Sequence, residues 1–343
     1  GRARASGISR YGQLLVKIGD RQELVPDVTE IGLTSAILRL TRETPATACF
    51  TVGHGEPDIH DTRPGGYEVF AAYLRQLGYA SEPLALGAPG APERLQRCTV
   101  VIAAPRIPLL PSELSMLESY AERNGRLIVM SDPDEATRVQ LNDLLRPFGM
   151  GFGAGEVRDR SSLADDPASV VAFSYPSESP PIRDLKRDGI PVLFVAPHPI
   201  ETATTGEVAQ SVSALVSSSS HSSIGGASGS GPFVLAALHD VSAVSEQAGT
   251  AVLTTSRLAV VGSSALASNR LIDHFGNRDF ATGLVQWVGR ETDVISAGRS
   301  FGGVRKVVLT RERRDHLVRS AVVFPTLALL VPMPVALLRL RRG

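Results

Sequence analysis

Three short polar segments each follow an apolar segment of the chain, and they carry the side chains best suited to chemistry. The first contains His54, Gly55 and Glu56, the second contains Arg106, and the third contains Asp132. Imidazole and carboxylate groups act as general acids, general bases or metal ligands, and guanidinium groups bind anions. We interpret these five residues as candidate contacts for a ligand or a protein partner.

Two interpretations of the first segment compete. In a hydrolase or an amidotransferase-like enzyme, His54, Glu56 and Asp132 would act as acid, base or ligand groups around one reacting atom. In the structural interpretation, a glycine-flanked His and Glu shape a turn by bonding its backbone amides. The segment continues into Asp58 and His60, but its spacing matches no metal-ligand motif such as H-E-x-x-H, so we predict no metal.

Covalent catalysis needs a nucleophile on a sharp turn between a strand and a helix. Cys98 lies before an apolar strand and Cys49 lies inside one, so we interpret both as small buried hydrophobic residues. The chain has no G-x-S-x-G segment, and none of its three lysines follows a glycine as a phosphate-binding P-loop requires. These features exclude a P-loop ATPase and offer no candidate for a covalent nucleophile, and we expect no cofactor.

Apolar segments between residues 44 and 150 alternate as in an α/β domain. Strands are predicted at Ala46–Val52, Thr99–Ala104 and Arg126–Met130, with amphipathic helices between them. Continuous apolar strands are buried on both faces, as in a doubly wound parallel sheet. We expect a flavodoxin-like or amidotransferase-like fold, whose ligands bind beyond the carboxyl ends of the strands.

The segments on either side are less regular. Residues 1–43 predict a β-hairpin and a helix, which we expect to be the remainder of a trimmed N-terminal region. Residues 151–310 predict a strand-rich second lobe that completes or flanks the first sheet. Within that lobe, residues 217–231 hold eight serines and four glycines, so we expect a disordered surface loop there.

The last part of the chain predicts a membrane anchor. Ser320–Leu338 is nineteen residues without a charge, bounded by arginines on both sides. A helix of that length crosses a hydrocarbon core of about 30 Å. Three prolines count against a straight helix, and a buried C-terminal helix is the alternative. We predict a transmembrane helix with a basic tail at residues 317–340.

The charge balance limits the classes of partner. The chain has 35 basic and 35 acidic residues, so there is no net charge to attract a nucleic acid, and we predict no nucleic-acid partner. Two cysteines in 343 residues exclude a framework of several disulfides and a Cys-rich zinc module.

Taken in order, the segments resemble the membrane-anchored auxiliary component of bacterial ABC transport systems, typified by the gliding-motility-associated GldG-like proteins. The first matching stretch is TVGHGEPD, and the longest contains VVIAAPRIPLLPSEL and ends at RLIVMSDP. The other matches are a Gly-Gly-Tyr helix start, an SNR segment, GNRDFATGLVQWV and the terminal hydrophobic span. The resemblance covers nearly the whole chain.

This resemblance implies an extracytoplasmic α/β domain on the periplasmic side of the bacterial inner membrane, between two membrane helices. It implies an ABC permease and ATPase subunits as partners, with an envelope ligand as a further partner, and no enzymatic activity. Asn269 and Arg278 lie in matching stretches and join the candidate binding residues. One departure is Gly262–Ala265 (GSSA), where the family tends to carry an acidic Gly-Asp-Ser-Asp turn. A further hypothesis is a sugar- or peptide-binding module, which would differ from this auxiliary component only in the ligand that it binds.

Overall fold

The computed structural model describes residues 13–25, 33, 36, 37, 40, 46–123, 125–131, 134–160, 166–225, 231–247, 250–289 and 319. The strands are β1 (Leu14–Ile18), β2 (Arg21–Val25), β3 (Ala46–Val52), β4 (Tyr79–Ala85), β5 (Cys98–Ala103), β6 (Arg126–Met130), β7 (Met150–Phe152), β8 (Val157–Asp159), β9 (Ser169–Ala172), β10 (Val192–Val195), β11 (Ile200–Thr202), β12 (Val212–Ser217), β13 (Ser222–Ile224), β14 (Val234–Gln247) and β15 (Thr250–Val261). The helices are α1 (Glu68–Gln76), α2 (Ala91–Arg97), α3 (Pro111–Glu122), α4 (Glu135–Leu145), α5 (Arg183–Asp188), α6 (Glu207–Gln210) and α7 (Asn277–Val288).

A seven-stranded sheet organises the fold, in the order β12-β14-β15-β6-β5-β3-β4. The strands from β15 to β4 are parallel neighbours, whereas β14 and β12 are added antiparallel at one edge. The fold is therefore mixed α/β with a large sheet that contains the predicted parallel strands, and the two antiparallel strands are an addition to the parallel sheet that the sequence predicted. Only two residues separate β14 from β15 in the chain, and so short a connection permits only antiparallel pairing.

Helices cover both faces of this sheet because its central strands are apolar on both sides. Phe50 and Val101 point to one face, where they pack with residues of α1 and α7 such as Phe70 and Phe280. Neighbouring residues of the same strands point to the other face and pack against α2, α3 and α4. Two buried layers therefore hold the strand ends, and the loops that follow them, in fixed positions.

The segment predicted as a second lobe both completes and flanks the sheet. Its strands β12, β14 and β15 extend the central sheet, while β9 with β10, β7 with β11, and β8 with β13 form two-stranded sheets beside it. Strands β8 to β15 and helices α5 to α7 belong to this part of the chain. The proposed boundary at residue 150 stays a prediction.

The serine- and glycine-rich segment is not a disordered loop over residues 217–225. Its residues Ser222–Ile224 form β13, which pairs with β8. The hydroxyls of Ser218 and Ser222 lie 2.6 Å apart, and Ser222 Oγ donates to the carbonyl of Ser219 at 2.7 Å. These serines bond to one another and to the backbone, so the segment folds without a large apolar surface. Residues 226–230 lie outside the described part of the chain.

The two cysteines form a disulfide, Cys49–Cys98, so their interpretation as separate small hydrophobic residues was wrong. They lie on adjacent parallel strands, where Thr47 pairs with Cys98, and their Cα atoms are 5.6 Å apart. Residues two apart on a strand share a face, so both side chains enter the same buried layer. Strand pairing therefore brings the two sulfur atoms together, and the spacing of the two cysteines in the sequence does not predict this.

The structure bears on some of the predictions for the two ends of the chain. The hairpin β1–β2 is present, with Leu14 opposite Val25. No helix among the described residues is long and apolar enough to cross a membrane. The membrane span predicted at Ser320–Leu338 lies outside the described residues.

Candidate functional site

A cavity of about 800 Å³ lies at the carboxyl ends of the parallel strands. Its walls come from the loops after β3, β5, β6 and β15, and from β9 and β10 of the flanking sheet. This volume lies within the range of about 300–1,000 Å³ typical of small-molecule sites. Two of the lining residues are Arg106, which was predicted, and His274, for which no role was predicted.

The cavity lies where the order of the parallel strands changes direction. From β3 the chain moves outward to β4, and it then returns to β5 on the other side of β3. Loops diverge at such a switch point and leave a crevice, which is where open α/β sheets bind ligands. Pro57 after β3 and Ala104 after β5 both line the cavity.

Backbone strain is concentrated beside the cavity. Among the described residues, three that are not glycine have a left-handed φ: Ala104 at 46°, Ala196 at 45° and Phe275 at 49°. Ala104 lines the cavity, and the other two directly follow the lining residues Val195 and His274. Such conformations cost about 1–3 kcal/mol each and persist mainly at functional sites. This distribution marks the cavity as the candidate site.

The predicted residue His54 lies between two buried glutamates, outside the cavity lining. Its Nε2 is 2.9 Å from Oε2 of Glu113, and its Nδ1 is 3.5 Å from Oε1 of Glu56. The His54 backbone N–H also donates to Glu56 Oε2 at 2.7 Å. Glu113 Oε2 accepts the N–H of Leu110 at the start of α3. His54, Glu56 and Glu113 therefore hold the turn that follows β3 against the start of α3.

The turn after β3 also positions Arg106. The carbonyl of His54 accepts the N–H groups of Arg106 and Ile107 at 2.7 and 3.0 Å. Gly55 has φ +85°, and a Cβ at this residue would lie 3.2 Å from Arg106 Cβ. The glycine therefore allows both the left-handed turn and the close approach of the arginine.

Asn269 has a comparable role on the loop after β15. Its Oδ1 accepts the N–H of Val69 at 2.9 Å, and its Nδ2 donates to the carbonyls of Asp61 and Arg63 at 2.7 and 2.8 Å. These bonds hold the loop after β15 against the loop after β3. The next residue, Arg270, lines the cavity.

The remaining predicted residues lie elsewhere. Arg278 lies with its guanidinium 5.1 Å from the ring centre of Tyr73 and 3.7 Å from a carboxylate oxygen of Asp279, and it does not line the cavity. Asp132 lies outside the described residues, so its distance to His54 is not given by the structure. The structure places His54 and Glu56 side by side, and the convergence of all three groups in the enzyme hypothesis stays a prediction.

Two hydroxyl groups in the cavity wall donate to backbone carbonyls. Tyr67 donates to the carbonyl of Ser264 at 2.6 Å, and Ser268 donates to the carbonyl of Ala265 at 2.6 Å. A serine or tyrosine nucleophile would instead donate to a basic side chain. Within the described residues, no group of three His, Cys, Asp or Glu side chains could hold a metal ion.

Sequence reasoning missed several lining residues. Arg270 was quoted within the SNR segment but was not chosen, and Asp166, Ser169 and His274 carried no motif at all. The available signal was the position of Arg270 and His274 just after β15, because loops after parallel strands form such sites. Asp166 and Ser169 enter from the flanking sheet, which the sequence pattern does not locate.

The comparisons with known proteins give a family. The pattern of a family described as a domain of unknown function, DUF4350, matches residues 59–285. The chain belongs to the DUF4350 family. The DUF4350 region begins just after the turn that contains His54 and extends almost to the end of α7, so it contains every described lining residue except Pro57.

Two solved structures match part of this chain. The N-terminal domain of mmIFT52 matches with a TM-score of 0.53 at 18% identity, over 71% of this chain and 97% of that one. A thua-like protein from Bacteroides uniformis ATCC 8492 matches with a TM-score of 0.44 at 14% identity, over 72% of this chain and 93% of that one. The comparison with curated proteins gives no match. The first likeness supports the α/β fold and nothing further.

Proposed function

We propose that this protein is a non-catalytic, membrane-anchored auxiliary subunit of an ABC transport system of the gliding-motility type. Its α/β domain lies outside the cytoplasm and holds an envelope ligand or a partner protein at the cavity. The observation that carries the proposal is the cavity itself, which joins strained loops at the switch point of the sheet with hydroxyls committed to backbone carbonyls. That arrangement suits binding better than covalent catalysis.

The Cys49–Cys98 disulfide supports an extracytoplasmic position for the domain. Disulfides form and persist in the periplasm and outside cells, whereas cytosolic thiols are kept reduced. Both cysteines are buried, so the bond is part of the folded core. The uncharged segment Ser320–Leu338 supports the membrane anchor, because its length matches the hydrocarbon thickness.

The flavodoxin-like interpretation of the domain is also a proposal. Numbered by their order in the chain, the parallel strands β4, β3, β5, β6 and β15 lie in the order 2-1-3-4-5. This is the order of doubly wound flavodoxin-like sheets, whose ligands lie at the switch between the first and third strands. The cavity between the loops after β3 and β5 lies at that position.

Affinity purification of the full-length chain from detergent-solubilised membranes tests the proposal. We expect an ABC permease and an ATPase subunit to co-purify, and we expect alkaline carbonate to leave the chain in the membrane. A matched variant that begins at Gly1 and ends at Arg319 keeps the domain and lacks the uncharged segment, so it should be released by carbonate, whereas the chain from Gly1 to Gly343 should not. Recovery of the full-length chain as a lone monomer in the cytoplasmic fraction would reject the proposal.

A further inference from the structure

We propose that the cavity binds a small ligand through one anionic group, a carboxylate or a phosphate ester, held between the guanidinium groups of Arg106 and Arg270. The inference deepens the proposed function and rests on it, because it names the chemistry of the ligand that the domain holds. Both arginines line the cavity and are exposed. Arg106 belongs to the loop after β5, and Arg270 to the loop after β15.

The charges of these two arginines are not satisfied by the described part of the chain. Other exposed arginines form ion pairs there, as Arg63 does with Asp61 and Arg138 with Glu135. Among the described residues, Arg106 and Arg270 have no ion-pair partner and no further electrostatic partner. Their guanidinium N–H groups are therefore available to a planar or tetrahedral anion, which arginine binds through two parallel hydrogen bonds.

Two carboxylates in the wall limit the ligand to one anionic group. Asp134 accepts the N–H of Thr137 at 2.8 Å, which lowers the pKa of Asp134, and Asp166 accepts the N–H of Ala168 at 3.0 Å. Both groups are bound to their own chain segments, and neither forms an ion pair with the arginines. A second anionic group near them would be repelled, so the rest of the ligand is neutral or cationic.

The arginine backbones are held in place before any ligand arrives. The N–H of Arg106 donates to the carbonyl of His54 at 2.7 Å, and the N–H of Arg270 donates to the carbonyl of Pro64 at 3.0 Å. The buried carboxylates of Glu56 and Glu113 fix the first of these acceptors by holding His54. Preorganisation of this kind lowers the entropic cost of binding.

The test uses the purified full-length chain in detergent and ligand-observed NMR with two matched pairs of probes. Glycerol 3-phosphate is compared with glycerol, and N-acetylalanine is compared with its amide, so that each pair differs chiefly in the anionic group. The variants are Arg106→Gln, Arg270→Gln and the double variant. Arg123→Gln is the control, because Arg123 is exposed at the end of α3 and comes just before β6, by the amino ends of the parallel strands and away from the cavity. Melting curves show that each variant is folded.

We expect at least one anionic probe to bind, its neutral partner not to bind, and the affinity to fall about tenfold in each single variant. Arg123→Gln should bind like the wild type. Which anion binds distinguishes a phosphate ligand from a carboxylate ligand. The inference is overturned if neither anion binds, if neutral partners bind equally well, or if the glutamine variants retain full affinity.

These results separate the inference from the proposed function. Anion binding by a chain that purifies without a permease would reject the transport role and keep the ligand chemistry. Co-purification with a permease, without anion binding, would keep the transport role and reject the arginine site.

Discussion

Loss of the Cys49–Cys98 disulfide is expected to lower the free energy of unfolding by about 4 kcal/mol at 25 °C. The bond joins residues 49 positions apart, and closing a loop of that length removes about 14 cal/mol/K of entropy from the unfolded chain. With a urea slope of about 2 kcal/mol per M, the unfolding midpoint should fall by about 2 M.

The assay is urea unfolding of the wild type with and without reductant, beside a Cys49→Ala/Cys98→Ala variant. The reduced wild type and the double variant should unfold at similar urea concentrations, and the double variant should not respond to reductant. Thiol titration of the unfolded, unreduced wild type should find no free thiol. Two free thiols, or a midpoint that reductant leaves unchanged, would refute the reasoning.

Three further perturbations test the packing of the domain. Burial lowers the pKa of His239, so its contribution to stability is present above about pH 6.5 and is lost as the pH falls; His239→Gln should flatten this pH dependence in urea unfolding. Gly262→Ala should lower stability by about 1–3 kcal/mol or more, because the added Cβ would lie 1.9 Å from the carbonyl oxygen of His198. Asn277→Ala should cost about 1–3 kcal/mol, because the N–H of Leu193 loses its buried acceptor.

Each of these expectations has a clear contrary result. The His239 argument fails if the variant and the wild type lose stability equally on acidification. Gly65→Ala is the control for the glycine, since no atom lies within 4 Å of its added Cβ, and equal melting temperatures for the two glycine variants would contradict the steric argument. An Asn277→Ala variant with wild-type stability would mean that the Leu193 amide has another acceptor.

Local sequence patterns predicted the central strands closely. The predicted strands Ala46–Val52 and Arg126–Met130 have those bounds in the structure, and Thr99–Ala104 differs from β5 by one residue at each end. Runs of apolar residues are locally visible, because a strand buried on both faces needs them along its whole length. The antiparallel pairing of β12 and β14 was not predicted, because the apolar residues of a strand do not show whether it pairs parallel or antiparallel with its neighbour.

The turn at Gly53–Glu56 shows where motif reasoning stops. Its residue types suggested either chemistry or a turn, and the structure places His54 and Glu56 in a buried cluster beside the cavity. The side chain that reaches the cavity is Arg106. The sequence motif therefore identifies residues that hold the turn in position, but it does not show whether their side chains reach the cavity.

The sequence alone determined the alternation of strands and helices, the apolar cores and the position of the loops after the strands, because each depends on periodicity within about ten residues. Only the tertiary structure shows that the two cysteines form a disulfide, that the sheet is mixed in direction, and that Arg106 and Arg270 line the same cavity. These features join residues far apart in the chain. Long-range pairing depends on which buried faces pack together, and that choice is made by the whole core rather than by any one segment.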